Sequence, residues 1–285
     1  MAHWLITGAG GMVATDLREA LALRDEPVTA LTRNDLDITD SRRVSACVAE
    51  VRPDVIVNCA AYTKVDQAEA EESAANAING SAVELLAWAA NEAGALLVQL
   101  STDFVFDGKK REPYEINDAT NPLSAYGRSK LLGETAARHA SKHLIVRTSW
   151  LFGLNGPNFV KAIQRQVGLG TNPLRVVNDQ RGRPTYTPHL AEAIIRIVSN
   201  DARGVVHYAD AEECTWYDFA RAIAPEANIV AVSTDEFPRP AARPAYSVLS
   251  TERYERLTGV TPASWRDGLG EYLRASDTRR SPQHP

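Results

Sequence analysis

Tyr126 and Lys130 stand four residues apart in the stretch Tyr126-Gly127-Arg128-Ser129-Lys130, a spacing that puts a phenol and an ammonium on one face of a helix. Among nine tyrosines no other has a lysine four residues on. Such a pair suits ketone reduction, in which the carbonyl oxygen turns negative as hydride reaches the carbon and must take a proton. A phenol with an ordinary pKa of about 10 is a slow donor near neutrality unless a neighbouring cation lowers it. Lys130 is the candidate cation, expected to lower the Tyr126 pKa. Upstream, Ser101-Thr102-Asp103 closes an apolar run, and Thr102 is placed to hydrogen-bond the substrate carbonyl.

Positioning these groups requires a scaffold. Short apolar runs at His3 to Thr7, Val28 to Leu31, Val55 to Asn58, Leu96 to Ser101 and Leu144 to Thr148 read as strands buried on both faces. Helix-period stretches lie between them, at Val13 to Leu23, Ser41 to Val51, Ser73 to Glu92 and Ser124 to Arg138. This alternation predicts an α/β fold, a Rossmann-like doubly wound parallel sheet, over residues 1–150, with 186–210 a candidate to return to it. After Trp150 the chain is broken by Gly153, Gly156, Pro157, Gly168, Gly170, Pro173, Gly182 and Pro184, so 151–275 reads as a smaller substrate-binding lobe. The Pro-rich segment Phe237 to Pro244 reads as an ordered loop over a ligand, and the polar residues 276–285 as a disordered tail.

The first strand ends in Gly8-Ala9-Gly10-Gly11-Met12 and leads into a helix. Glycines at that junction let the backbone approach a pyrophosphate, and the helix start offers free N–H groups to anions. Gly8, Gly10, Gly11 and Met12 are therefore candidate dinucleotide contacts. At the tip of the second strand stands Arg33, where an NAD enzyme often offers a carboxylate to the ribose. A guanidinium suits a 2′-phosphate, which favours NADPH, while the nearby Asp35 and Asp37 keep NADH open.

The chain has 285 residues with 31 Lys plus Arg against 36 Asp plus Glu, a formal charge of −5. That sign argues against nucleic acid as a partner. Cys47, Cys59 and Cys214 show neither disulfide nor zinc spacing, so no metal site is expected and a reducing compartment fits. No signal peptide is visible and no apolar run approaches the ~20 residues of a membrane span, so a cytoplasmic protein is expected.

With these residues in view, the chain resembles extended short-chain dehydrogenase/reductases, specifically those acting on dTDP-4-keto-6-deoxy sugars. The likeness is carried by Ile6 to Met12, Leu36 to Asp40, Asn58 to Asp66, Ser101 to Gly108, Pro122 to Lys130, Arg147 to Gly153, Asp179 to Thr185 and Ala242-Arg243-Pro244. It implies NADPH-dependent reduction of the 4-keto group of dTDP-4-dehydro-β-L-rhamnose to dTDP-L-rhamnose. Tyr126 would be the proton donor, with Lys130 assisting and binding the ribose, and Thr102 polarising the ketone. The resemblance also implies Asp37 and Ile38 by the adenine, Ala60, Ala61 and Tyr62 along the cofactor toward the nicotinamide, and Asp103 and Trp150 facing the sugar nucleotide. Some members dimerise, so a homodimer stays open.

Two alternatives remain at this level: reduction of another dTDP-4-keto-6-deoxyhexose, and a non-catalytic regulatory subunit resembling the methionine adenosyltransferase β subunit. A dehydratase of this group would carry an acid after Thr102-Asp103, where this chain has Phe104.

Overall fold

Runs made mostly of β-branched and aliphatic residues form the central strands of the protein. A computed structural model describes residues 1–280. The strands are β1 (Trp4–Thr7), β2 (Val28–Leu31), β3 (Val55–Asn58), β4 (Leu96–Thr102), β5 (His143–Thr148), β6 (Leu151–Phe152), β7 (Leu174–Val177), β8 (Arg181–Gly182), β9 (Thr185–Tyr186), β10 (Gly204–His207), β11 (Cys214–Thr215) and β12 (Ile229–Val232). Six of them make one parallel sheet in the order β10-β5-β4-β3-β1-β2.

The helices are α1 (Met12–Ala22), α2 (Ser41–Val51), α3 (Val65–Ala68), α4 (Glu72–Asn76), α5 (Ala82–Ala93), α6 (Ala125–Ala137), α7 (Phe159–Gly168), α8 (Thr187–Ser199), α9 (Trp216–Ile223), α10 (Glu252–Thr258) and α11 (Trp265–Arg280). Alternate strand residues feed two cores. Ile6, Val57, Val98 and Val146 pack with α1 and α8 on one face. Leu5, Ile56, Leu97 and Ile145 pack with α2, α5 and α6 residues on the other. Each such side chain, fully buried, contributes about 1.5–3 kcal/mol. A third core, around Phe152, Val160, Leu174, Phe219 and Trp265, belongs to the second part of the chain.

Two secondary-structure expectations differ from the structure. The helix expected over Ser73 to Glu92 is broken by a π turn at Ala77–Ser81, because the buried Asn79 is tied sideways to the backbone of Tyr62. The tail expected to be disordered from Ser276 is helical to Arg280, as α11 continues; 281–285 lie outside the described residues.

Strand order reverses around β1, flanked by β2 on one side and β3 on the other. Crevices beyond the carboxyl ends of parallel strands at such a reversal are where α/β folds bind ligands. Both Gly8, after β1, and Thr102, ending β4, lie at those ends.

Candidate active site

α6 begins at an N-cap, Ser124, whose hydroxyl accepts from the Gly127 N–H, and this cap fixes the first turn that carries Tyr126. Gly127 is needed there because a Cβ would come within 2.3 Å of the Phe104 carbonyl oxygen. One turn on, Lys130 is 4% exposed and its Nζ donates to the Leu100 carbonyl at 2.7 Å. Ser129 donates to the Tyr126 carbonyl at 2.7 Å and accepts from Asn79, whose amide also pairs with both the N–H and the C=O of Tyr62. Asn79 thus ties the Ala60 to Tyr62 strip to the turn bearing Tyr126. Sequence reading missed it, since nothing local distinguishes it from any helix asparagine.

Thr102 is buried close to the Tyr126 phenol. Thr102 donates to Asp103 at 3.0 Å and accepts from the Phe104 N–H at 3.2 Å. The phenol of Tyr126 is pushed up to about 12, first by burial and then by the Asp103 carboxylate. The sequence expectation of a phenol lowered by Lys130 is therefore corrected: without a ligand, burial dominates and Tyr126 stays protonated at neutral pH. Burial also brings Lys130 down to about 8, with the Glu134 charge working the other way, and raises Asp103 to about 6.

Below the site Glu134, one turn beyond Lys130, forms a buried ion pair with Arg147 on β5, through two contacts of 2.7 Å, and accepts from Ser101 at 2.6 Å. Glu134 thereby locks α6 to the ends of β4 and β5.

On the cofactor side the fit can be tested directly. Gly8 has φ +68°, and a Cβ there would meet the Ala60 N at 2.6 Å, so only glycine lets β1 and β3 close up. Gly11 is the N-cap of α1 without a side-chain cap, and the first turn carries no acid, leaving N–H groups for an anion. A Cβ on Gly10 would meet nothing within 4 Å, and Met12 is half-buried at the helix start. These features suit a pyrophosphate.

Arg33 is exposed, its Nε 4.0 Å from Asp37. Asp35 accepts from both the N–H and hydroxyl of Thr32, and Asp37 likewise from Thr39, so each holds its own turn together. Ile38 is buried in the core under α2. Ala60, Ala61 and Tyr62 are half-buried beyond β3, and the Tyr62 hydroxyl donates to Glu71 at 2.8 Å.

A cavity of about 980 Å³ opens in the second part of the chain. Trp150 and Trp216 line it, stacked with ring centroids 3.5 Å apart and planes at 4°. Trp150 takes a left-handed φ of +47° and lies flat on Gly182, where a Cβ would fall 2.5 Å from its ring. Trp216 was not singled out from sequence. The Pro-rich segment walls the cavity with Phe237, Arg239 and Arg243. Phe104 joins the two regions: it lines the cavity and meets Tyr126 edge-on at 5.7 Å.

The model of the RmlD substrate binding domain family matches residues 2–278. The chain belongs to this family. A dTDP-4-keto-6-deoxy-D-glucose reductase of Streptomyces niveus is 44% identical, over 91% of this chain and 92% of its own length. The dTDP-4-dehydrorhamnose reductase of Streptomyces griseus is 40% identical, over 96% and 93%. The structure of dTDP-4-dehydrorhamnose reductase from Bacillus anthracis in complex with NADP superposes with a TM-score of 0.92 at 38% identity, over 96% of this chain and 99% of that one.

Among the described residues no helix is long and apolar enough to cross a membrane, and no three His, Cys, Asp or Glu side chains are arranged to hold a metal ion. Cys47, Cys59 and Cys214 are free thiols.

Proposed function

We propose that this RmlD-family chain is an NADPH-dependent reductase of the 4-keto group of dTDP-4-dehydro-β-L-rhamnose, yielding dTDP-L-rhamnose. The observation that carries the reading is the placing of Tyr126 and Lys130 four residues apart on α6 against the end of β4, where Thr102 stands, beside a cavity reached through Phe104. Membership of a family with reductases at about this identity supports the substrate class.

NADPH would lie along the Gly8 to Met12 turn, with Arg33 by its 2′-phosphate and Ala60 to Tyr62 leading toward the catalytic turn, and it supplies the hydride. Tyr126, protonated at neutral pH, hands its proton to the sugar O4. Thr102, its hydroxyl turned from Asp103 toward the substrate, would donate to the same oxygen and fix the ketone before transfer. Lys130 has donors left after its bond to Leu100, which would hold the ribose hydroxyls, and its charge would stabilise the phenolate left by the transfer. Trp150 and Trp216 give the nucleotide sugar a flat apolar wall, and Arg239, stacked on Phe237 at 4.7 Å, places positive charge for the diphosphate.

The 44% identity to the Streptomyces niveus enzyme favours one second reading, a reductase of a different dTDP-4-keto-6-deoxyhexose. One experiment separates the two. NADPH consumption is followed with dTDP-4-dehydro-β-L-rhamnose and with dTDP-4-keto-6-deoxy-D-glucose, and the C4 configuration of each product is determined by NMR. Turnover of the first, giving the L-rhamno product, is expected; preference for the second supports the alternative, and no oxidation with either rejects the reductase reading.

A further inference from the structure

The two walls of the ligand cleft are joined by a contact between distant parts of the chain. Asp66 lies on the single-turn helix α3, just beyond the Ala60 to Tyr62 strip, and Arg243 lies on the Pro-rich segment. They are 177 residues apart in sequence. Arg243 donates from Nη1 to Asp66 Oδ1 at 2.7 Å and from Nη2 to Oδ2 at 3.0 Å, and the Ala241 N–H donates to Oδ1 at 3.2 Å. Arg243 Nη1 also donates to the Ala241 carbonyl at 2.6 Å, which shapes the segment around the pair. Both residues line the cavity.

The segment carries this constraint onward. Pro238, Pro240 and Pro244 restrict its backbone, and Gly108, at φ +74°, packs so closely under Pro244 that a Cβ would fall 2.7 Å from its Cα. The Ala245 carbonyl then accepts from the Arg181 N–H at 2.8 Å, and the Ser247 N–H donates to the Arg181 carbonyl at 2.8 Å, which pairs the end of the segment with β8. A path of bonded residues therefore runs from α3, beside the cofactor strip, through Asp66 and Arg243 into the Pro-rich wall and on to β8.

An ion pair that is one-fifth to one-third exposed adds little to global stability, and a guanidinium bound to both carboxylate oxygens has few donors left for a ligand. Its effect is geometric. We propose that Asp66 and Arg243 are positioning residues, a clamp that sets the substrate wall in register with the cofactor strip so that dinucleotide and sugar-nucleotide binding reinforce each other. This rests on reading the cavity as a nucleotide-sugar site. Ordering the strip with one ligand fixes Asp66, and the clamp then holds the segment before the other ligand arrives, which is spared that ordering cost.

The test uses the full chain with NADP⁺ and dTDP as probes, measuring the Kd of dTDP by calorimetry with and without saturating NADP⁺. The parent is expected to bind dTDP at least about fivefold more tightly with NADP⁺. Asp66→Asn and Arg243→Gln should still bind each probe alone, while the factor falls to about one; Arg243→Lys should keep an intermediate factor. A purely structural role would lower the melting temperature and leave the factor unchanged. An unchanged factor in folded Arg243→Gln, or in Arg243→Lys should the former not fold, overturns the clamp, as does a parent without coupling. A parent that binds no dTDP at all overturns the nucleotide-sugar reading, and the clamp with it.

Discussion

The Nζ of Lys130 donates to the carbonyl oxygen of Leu100 at 2.7 Å, which fixes a buried amine at the end of β4, one residue before the Ser101-Thr102 pair. The same carbonyl accepts from the Gln99 side chain at 2.8 Å, and Gln99 continues through Asn58 to Thr7 at the end of β1. The lysine is held by the sheet as well as by its own helix.

Its titration gives the first expectation. Burial lowers Lys130 to about 8, so the ammonium is present below that pH and lost above it. The kcat/KM for NADPH, which reports the free enzyme, should fall on the alkaline side with a midpoint near 8, and Lys130→Arg should remove that limb even at a lower rate. Stability should move the other way. The folded pKa lies below the unfolded value, so the unfolded chain binds more protons between the two, and stability rises as pH climbs from about 8 toward about 10.4. Urea titrations across that range check the sign.

Gly8→Ala tests the cofactor turn. An alanine at φ +68° is strained by about 1–2 kcal/mol, and its Cβ would meet the Ala60 backbone at 2.6 Å, so β1 and β3 must part where the dinucleotide lies. NADPH affinity should drop at least about tenfold, the equivalent of 1.4 kcal/mol, as read by nicotinamide fluorescence. Unchanged affinity would place the cofactor elsewhere.

Arg33→Gln should weaken NADPH about tenfold and leave NADH within about threefold, the scale of one exposed charge-assisted contact. Steady-state KM values for the two cofactors give the ratio directly. Equal losses for both would remove Arg33 from the 2′-phosphate.

Glu134→Gln leaves Arg147 buried without its counter-charge, and losing one partner of such a pair costs about 3–5 kcal/mol. The midpoint of urea unfolding should shift accordingly. Because Glu134 lies one helical turn from Lys130, and its charge raises the lysine pKa, the alkaline limb of activity should also move to lower pH.

Much of this fold was legible because burial on both faces leaves a plain mark. α2 matches the expected Ser41 to Val51, and the expected parallel strands fall within a residue of their places. Local periodicity also put Tyr126 and Lys130 on one helix face. Other parts depended on contacts far along the chain. Asn79 breaks its helix into a π turn because Tyr62, 17 residues away, claims its amide, and the stack of Trp216 on Trp150 joins residues that share no local pattern. The high Tyr126 pKa escaped for a related reason: spacing shows the nearby lysine but neither the burial of the phenol nor the Asp103 carboxylate beside it.

Tyr126 as the proton donor is tested most directly by stopped-flow NADPH oxidation with dTDP-4-dehydro-β-L-rhamnose, comparing the parent with Tyr126→Phe at saturating cofactor and sugar. The phenylalanine keeps the ring against Phe104 and removes only the hydroxyl, so binding should hold while the single-turnover rate falls at least about 100-fold. A variant that oxidises NADPH at close to the parent rate would contradict the assignment.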